Sequence, residues 1–285
     1  SHLEPLLRLW QETEGGRATL INLSENHTFR IDAPAGDRFI VRVHRPGYQT
    51  RDAIQSELAW VAALSDRLPV PRPLPGRDGE LVQALTADQV AVLFAFEPGD
   101  EPLPAEDLGP LFRKLGRFAA IAHLHVEAWE RPTGFTRPQW TAASILDTDS
   151  TWGNWRTSPH VVGPVRETLE RLDLRLREVL DAYGTASDRF NLIHADMRLA
   201  NLLVEGDRLT LIDFDDCGHG WFMYDLAASL SFIDNLDGVA GLRRNWLEGY
   251  STIRPVSAAD LAIIDAMILL RRMALLAWIG SHAET

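Results

Sequence analysis

From His194 to Asp216 the chain reads His-Ala-Asp-Met-Arg-Leu-Ala-Asn, then an apolar run, then Ile-Asp-Phe-Asp-Asp. Asp196 is a carboxylate of the kind that orients a weakly acidic hydroxyl and takes its proton. Downstream, Asn201 offers an amide oxygen and Asp213 a carboxylate, hard donors that suit Mg2+. Asn201 adds no charge, whereas Asp213 adds an anionic ligand. A base accompanied by cation ligands is the set that phosphoryl transfer from a nucleotide requires. His194 reads as a scaffold whose ring bonds neighbouring backbone. Asp215 and Asp216 read as solvated loop carboxylates, the alternative being contact of one of them with a second metal or a cationic substrate group.

The spacing His-x-Asp-x-x-x-x-Asn is that of a kinase catalytic loop, with Asp213 where such enzymes keep a magnesium-binding Asp. The context agrees, because the motif falls among strand-like runs at Phe190 to Ile193, Leu202 to Glu205 and Leu209 to Ile212.

These residues need a frame, and the chain supplies two kinds. Arg17 to Ser24, His27 to Ala33 and Arg38 to His44 alternate as strands, with a turn at Pro34-Ala35-Gly36-Asp37. In the third strand Phe39, Val41 and Val43 share one face, and Ile40, Arg42 and His44 the other. Thr50 to Arg67 reads as an amphipathic helix carrying Glu57 near its middle, closed by Pro69. Strands at Leu81 to Leu85 and Gln89 to Phe96 end at Glu97-Pro98-Gly99-Asp100, a break in the pattern. Beyond it the pattern turns helical: Leu108 to Trp129, Pro164 to Tyr183, Phe222 to Ile233, Val239 to Tyr250 and Ala258 to Ile279. The expected fold is therefore α+β in two lobes, residues 1–97 with an antiparallel sheet and one helix, and residues 98–285 mostly helical. Residues 131–159 have the least periodicity, and read either as an insertion beside a substrate pocket or as a loop docking aromatics onto the core. Six tryptophans (Trp140, Trp152, Trp155, Trp221, Trp246 and Trp278) are candidates for an acceptor pocket or for core. His123 and His125 read as packing residues, since a spacing of two puts them on different helix faces.

Composition narrows the partners. Lys and Arg number 28 against 40 Asp and Glu, and the formal charge of −12 gives no basis for binding a nucleic-acid polymer. The single cysteine, Cys217, rules out an intrachain disulfide. No uninterrupted apolar run of about 18 residues is present, and Ser1 to Arg8 lacks the features of a signal peptide. The expected location is cytoplasmic, with no membrane partner.

On His194-Ala195-Asp196 through Asn201, Ile212-Asp213-Phe214 and Tyr224-Asp225-Leu226-Ala227, the chain resembles the aminoglycoside phosphotransferase and choline kinase superfamily over nearly its full length. The resemblance implies a bilobal protein-kinase-like fold, Asp196 as catalytic base, Asn201 and Asp213 on Mg2+, and His194 and Asp225 as structural supports. The competing reading of Asp225 is a residue capping its own helix. In the first lobe the family's strand-borne Lys is replaced by Arg42, paired with Glu57 in the family manner. Arg keeps the charge in a longer, planar fork, and a plain surface arginine is the alternative. No Gly-x-Gly-x-x-Gly precedes the second strand. The turn at Ser24-Glu25-Asn26 resembles the Ser-Glu-Asn turn of several small-molecule kinases, where Ser24 and Asn26 approach phosphate; a polar hairpin is the bland reading. Ile40 is implied to lie over the adenine, and the backbone from Phe94 through Phe96 to Glu97 at its edge.

The implied activity is ATP- or GTP-dependent phosphorylation of a small-molecule hydroxyl: an aminoglycoside, amino alcohol, homoserine-like or sugar acceptor. Two alternatives stand beside it. Val41-Arg42-Val43-His44-Arg45-Pro46 is similar to the third strand of a stress-kinase branch that phosphorylates proteins. It keeps a protein kinase open although two features weigh against protein kinases in general: Ala195 stands where they commonly carry the Arg that binds a phosphorylated activation loop, and Asp213 and Asp225 leave little space for such a loop. Arg42 and the atypical turn also allow a catalytically silent nucleotide-binding protein, against which Asp196, Asn201 and Asp213 together argue.

Overall fold

The computed structural model describes residues 3–24 and 26–282; Glu25, in the turn noted above, lies outside them. The chain forms two compact units. One comprises Ser1–Asp100, Glu130–Arg137 and Leu203–Asp215, the other Glu101–Trp129, Pro138–Leu202 and Asp216–Thr285.

The first unit opens with a one-turn helix, α1 (Glu4–Leu7), followed by β1 (Arg17–Leu23), β2 (Asn26–Asp32), β3 (Arg38–His44), α2 (Arg51–Leu64), β4 (Pro73–Leu74), β5 (Gln83–Ala84) and β6 (Val90–Ala95). The strands make one antiparallel sheet in the order β1-β2-β3-β6-β4, with β5 also against β6. Alternation along β3 divides the core as its sequence requires. Val41 and Val43 join Ile31, Ala91, Leu93 and the α1 segment residues Leu6, Leu7 and Trp10. Ile40 packs on the other side with Val92, Phe94 and the α2 residues Ile54 and Leu58. Thr50 caps α2 by accepting the Ala53 N–H at 3.2 Å, which satisfies one of the donors a helix start leaves unpaired.

The second unit is built on α3 (Gly109–Ala128), β7 (Gln139–Trp140), α4 (Ala142–Leu146), α5 (Gly163–Tyr183) and β8 (Phe190–Ile193). After the hairpin of β9 (Leu202–Glu205) and β10 (Arg208–Leu211) come β11 (Gly218–Trp221), α6 (Phe222–Ser229), α7 (Val239–Ser251) and α8 (Ala258–His282). From Leu203 onward the hairpin belongs to the first unit, where Val204 bridges Asp100. Helices α3 and α7 approach closely because Gly116 and Gly249 face each other's backbones. A Cβ at either would stand 1.9 Å from a carbonyl oxygen of the opposite helix.

Three features were not legible beforehand. β11 carries two glycines in four residues, a poor strand signal, yet it pairs with β8 and β7 and so anchors the strand that leads into His194. α6 stops at Ser229, short of the expected Ile233, because Phe232 takes φ +66°, a left-handed conformation that no right-handed helix contains. Residues 131–159 hold β7, α4 with a capping box between Thr141 and Ser144, and a 3-10 turn at Trp155–Thr157. Among the described residues, no helix is long and apolar enough to cross a membrane.

Candidate active site

In the second unit, β8 delivers the loop that carries His194, Asp196 and Asn201, all buried. Asn201 donates from Nδ2 to the Asp196 carbonyl at 2.8 Å and to its Oδ2 at 2.7 Å. Arg198 Nε donates to the same Oδ2 at 3.2 Å. The His194 ring accepts the Asp196 N–H on Nδ1 at 3.1 Å, so its observed contact holds backbone. Ala195, between them, has φ +69°. A non-glycine residue in that region costs on the order of 1–3 kcal/mol and persists only where its surroundings hold it.

Asp225 is one source of that hold. Its Oδ1 accepts the Ala195 N–H at 2.8 Å and its Oδ2 the His194 N–H at 3.3 Å. α6 has no side-chain cap, so the capping alternative does not describe this carboxylate. Behind it stands His123, fully buried on α3, with Nε2 2.8 Å from Asp225 Oδ2 and Nδ1 2.9 Å from the Tyr250 hydroxyl. Burial pushes the His123 pKa down, against the pull of Asp225, and burial pushes the Tyr250 phenol up. The neutral ring therefore donates to Asp225 and accepts from Tyr250. This corrects the reading of His123 as mere packing. A second residue missed by the sequence reading is Arg271 of α8, which donates to Asp196 Oδ1 and to the Ala195 carbonyl. Signals for both existed: His123 shares a helix face with Ala119 and Val126, and Arg271 with Met267 and Ala274, all buried. A polar side chain on such a face must find partners.

In the first unit Arg42 is buried, not a surface arginine. Its Nη2 lies 2.7 Å from both Glu57 oxygens, Nε 3.3 Å from His44 Nε2, and Nη1 3.7 Å from Asp213 Oδ1. Burial opposes the Arg42 charge, but Glu57, Asp215 and Asp213 outweigh it and raise its pKa. Burial pushes Glu57 up, with Arg42 pulling the other way. His44 is pushed down to about 2, first by burial and then by the charges of Arg42 and Arg137. Asp213 is half-exposed at φ +58°, while the next residue, Phe214, is buried edge-on against Trp60.

Asp215 departs from expectation. It is 7% exposed and accepts from Asn26 Nδ2 at 2.8 Å and Gln49 Nε2 at 3.0 Å, while its carbonyl accepts from Arg137 Nη2 at 2.5 Å. It is a buried anion ringed by donors, not a solvated loop carboxylate. Asn26 is thereby committed to Asp215, and Ser24 accepts from Asn22 at 3.3 Å. Ile40 sits on the Arg42 face of β3. Phe94 lies inside the sheet, between Ile40 and Pro73; Phe96, past the end of β6, has Arg38 4.1 Å from its ring centre. Of the six tryptophans, Trp140, Trp155, Trp221 and Trp246 are core, and Trp152 and Trp278 are half-buried.

An antiparallel sheet with one long helix, α2, followed by a helical unit whose strand-borne loop carries His-x-Asp-x-x-x-x-Asn, defines a protein-kinase-like fold. The sequence model of the phosphotransferase enzyme family matches residues 18–260, and the chain belongs to that family. It is similar to a solved microcompartment-associated aminopropanol kinase, with 38% identity, a TM-score of 0.90, and coverage of 99% of this chain and 89% of that one. The homoserine kinase of Rhizobium johnstonii is 29% identical over 90% of this chain and 79% of its own length. An amicoumacin kinase solved with AMP-PNP, Ca2+ and Ami shares the fold at a TM-score of 0.82 and 19% identity, covering 99% of this chain and 85% of that one. An uncharacterized protein of Synechocystis, sll1119, is 27% identical over 81% of this chain; the chain spans 64% of its length. The aminopropanol and homoserine kinases act on small molecules, and this chain is a phosphotransferase of that family.

Proposed function

We propose that the protein transfers the γ-phosphoryl group of ATP or GTP to the hydroxyl of a small amino alcohol, in the cytoplasm. The observation that carries this reading is the held carboxylate of Asp196, fixed through Asn201 and by a backbone braced on Asp225. The amino alcohol is favoured over aminoglycoside, homoserine-like and sugar acceptors by the likeness to the aminopropanol kinase.

Asp196 orients the acceptor hydroxyl and receives its proton as the oxygen bonds to the γ-phosphorus. The bond from that phosphorus to the bridging oxygen breaks, and the nucleoside diphosphate leaves with the electron pair. Asn201 and Asp213 are the residues that would hold Mg2+. Among the described residues no three His, Cys, Asp or Glu side chains gather as a metal site. Two protein oxygens completed by phosphate oxygens and water is a donor set that Mg2+ favours. When bound, the ion offsets charge on the phosphates. Arg42, set by Glu57, meets the donor phosphates. Ser24 approaches them, with Asn26 beside it held by Asp215. Ile40 covers the base, and the chain around Phe94 and Phe96 lines its edge.

The test is a coupled assay for nucleoside diphosphate with Mg2+, ATP or GTP, and a panel of aminopropanol, ethanolamine, choline, homoserine, sugars and aminoglycosides. Turnover confined to amino alcohols supports the reading. Turnover of none of them, or only of aminoglycosides, overturns the acceptor assignment.

A further inference from the structure

Arg271 is 2% exposed on the buried face of α8. Removing a guanidinium from water is costly, and an apolar side chain of like volume is often neutral or stabilising in its place. Packing of α8 alone therefore gives no reason for an arginine. Its partners do. Nε donates to Ser231 Oγ at 2.8 Å, Nη1 to the Ala195 carbonyl at 3.1 Å, and Nη2 to Asp196 Oδ1. The guanidinium carbon lies 5.1 Å from the Trp152 ring centre and 5.9 Å from that of Tyr224, within cation–π range. Ser231 and the two rings thus set the fork, and the fork sets two consecutive loop residues, one of them in the left-handed conformation.

A carboxylate offers about four lone-pair sites. On Asp196, Oδ2 is engaged by both Asn201 and Arg198, and Oδ1, among the described residues, by Arg271. The remaining site is on Oδ1. We propose that Arg271 is a positioning residue that makes Oδ1 of Asp196 the proton-accepting atom and fixes the direction from which the acceptor hydroxyl approaches. This deepens the reading of Asp196 as base and rests on it. Arg271 need not touch substrate or nucleotide; it acts through the oxygen it holds.

The experiment compares Arg271→Met, Arg271→Lys and Arg271→Ala with the wild type, by kinetics and by crystal structure. In Arg271→Met, kcat should fall by about 100-fold, the loss that follows misplacement of a reacting group by roughly 1 Å. KM for ATP should stay within about twofold, because donor binding is not involved. Its crystal structure should show the Asp196 carboxylate rotated away from its wild-type position. Lys keeps the charge but not the fork, so Arg271→Lys should lose about 10-fold in kcat. Added guanidinium ion should restore part of the activity of Arg271→Ala and none to the wild type. A kcat within about twofold of wild type in Arg271→Met, an unmoved Asp196, or a loss that guanidinium does not relieve would overturn the proposal. If Arg271→Met does not fold, Arg271→Lys carries the test alone, and full activity there overturns it. If the wild type phosphorylates no alcohol, the base reading falls, and the crystal structures still decide whether Arg271 holds Asp196.

Discussion

Each unit buries an arginine beside a candidate site carboxylate, and the two are bonded differently. Arg42 of the first unit spends Nη2 on Glu57, while its Nη1 stands 3.7 Å from the half-exposed Asp213, outside hydrogen-bond range. Arg271 of the second unit commits Nε, Nη1 and Nη2 to Ser231, Ala195 and Asp196. A guanidinium with an edge still open suits contact with an incoming anion. One whose three nitrogens are each bonded to a fixed protein group is suited to hold. Burial and charge alone do not distinguish the two arginines; the geometry of their donors does, and the proposed roles rest on it.

The largest expected effect breaks the second region at its carboxylate. Asp196→Asn should lower kcat by about 10²–10⁴-fold in a chain that still folds, read by the coupled assay and by circular dichroism, with a lowered thermal midpoint because Arg271 loses its counter-charge. Full turnover would remove Asp196 from the chemistry. The first region is tested through its ion pair. Arg42→Met leaves Glu57 buried without its partner and should cost about 3–5 kcal/mol, whereas Arg42→Met with Glu57→Leu should recover most of that. Urea unfolding measures both, and equal losses in single and double variants would contradict the account of a tightly paired buried couple.

Smaller effects sharpen the contrast. His123→Ala removes a donor to Asp225 and leaves Tyr250 without its acceptor, a loss of about 1–3 kcal/mol. Hydrogen exchange should then quicken at the Ala195 amide, and unchanged protection there would separate His123 from the loop. On the first side, His44 is held neutral down to about pH 2, against an ordinary value of 6.5. The unfolded chain binds this proton below pH 6.5 and the native state does not. Stability is therefore lost as pH falls, by about 1.4 kcal/mol per pH unit from this group. His44→Gln should flatten that slope between pH 6.5 and 5, and an unaltered slope would mean that His44 charges in the folded state.

Legibility followed the range of the signal. Period-two alternation in β3 put Arg42 opposite the valines, and Thr50, four residues before Ile54, marked the start of α2, because such patterns depend on neighbours in the chain. Asp215 misled because a charged loop residue is exposed by default, and its donors Asn26, Gln49 and Arg137 lie 78 or more positions away in sequence. The length of α6 was overestimated because the left-handed turn at Phe232 leaves no mark in residue types. β11 was invisible because its glycines are explained only by their neighbours: a Cβ at Gly218 would stand 2.3 Å from the Pro138 carbonyl oxygen.

By itself the sequence pointed to the class of chemistry, for His194, Asp196, Asn201 and Asp213 fall within twenty positions and local spacing is enough to nominate a base and its accompanying ligands. It also determined the α+β class, through a change from period two to helical period near residue 97. Only the tertiary structure decided what holds those groups. Asp225 on His194 and Ala195, His123 on Asp225, and Arg271 on Asp196 join residues 30 to 102 positions apart. A buried polar side chain declares through its type that it needs partners, and folding alone chooses them.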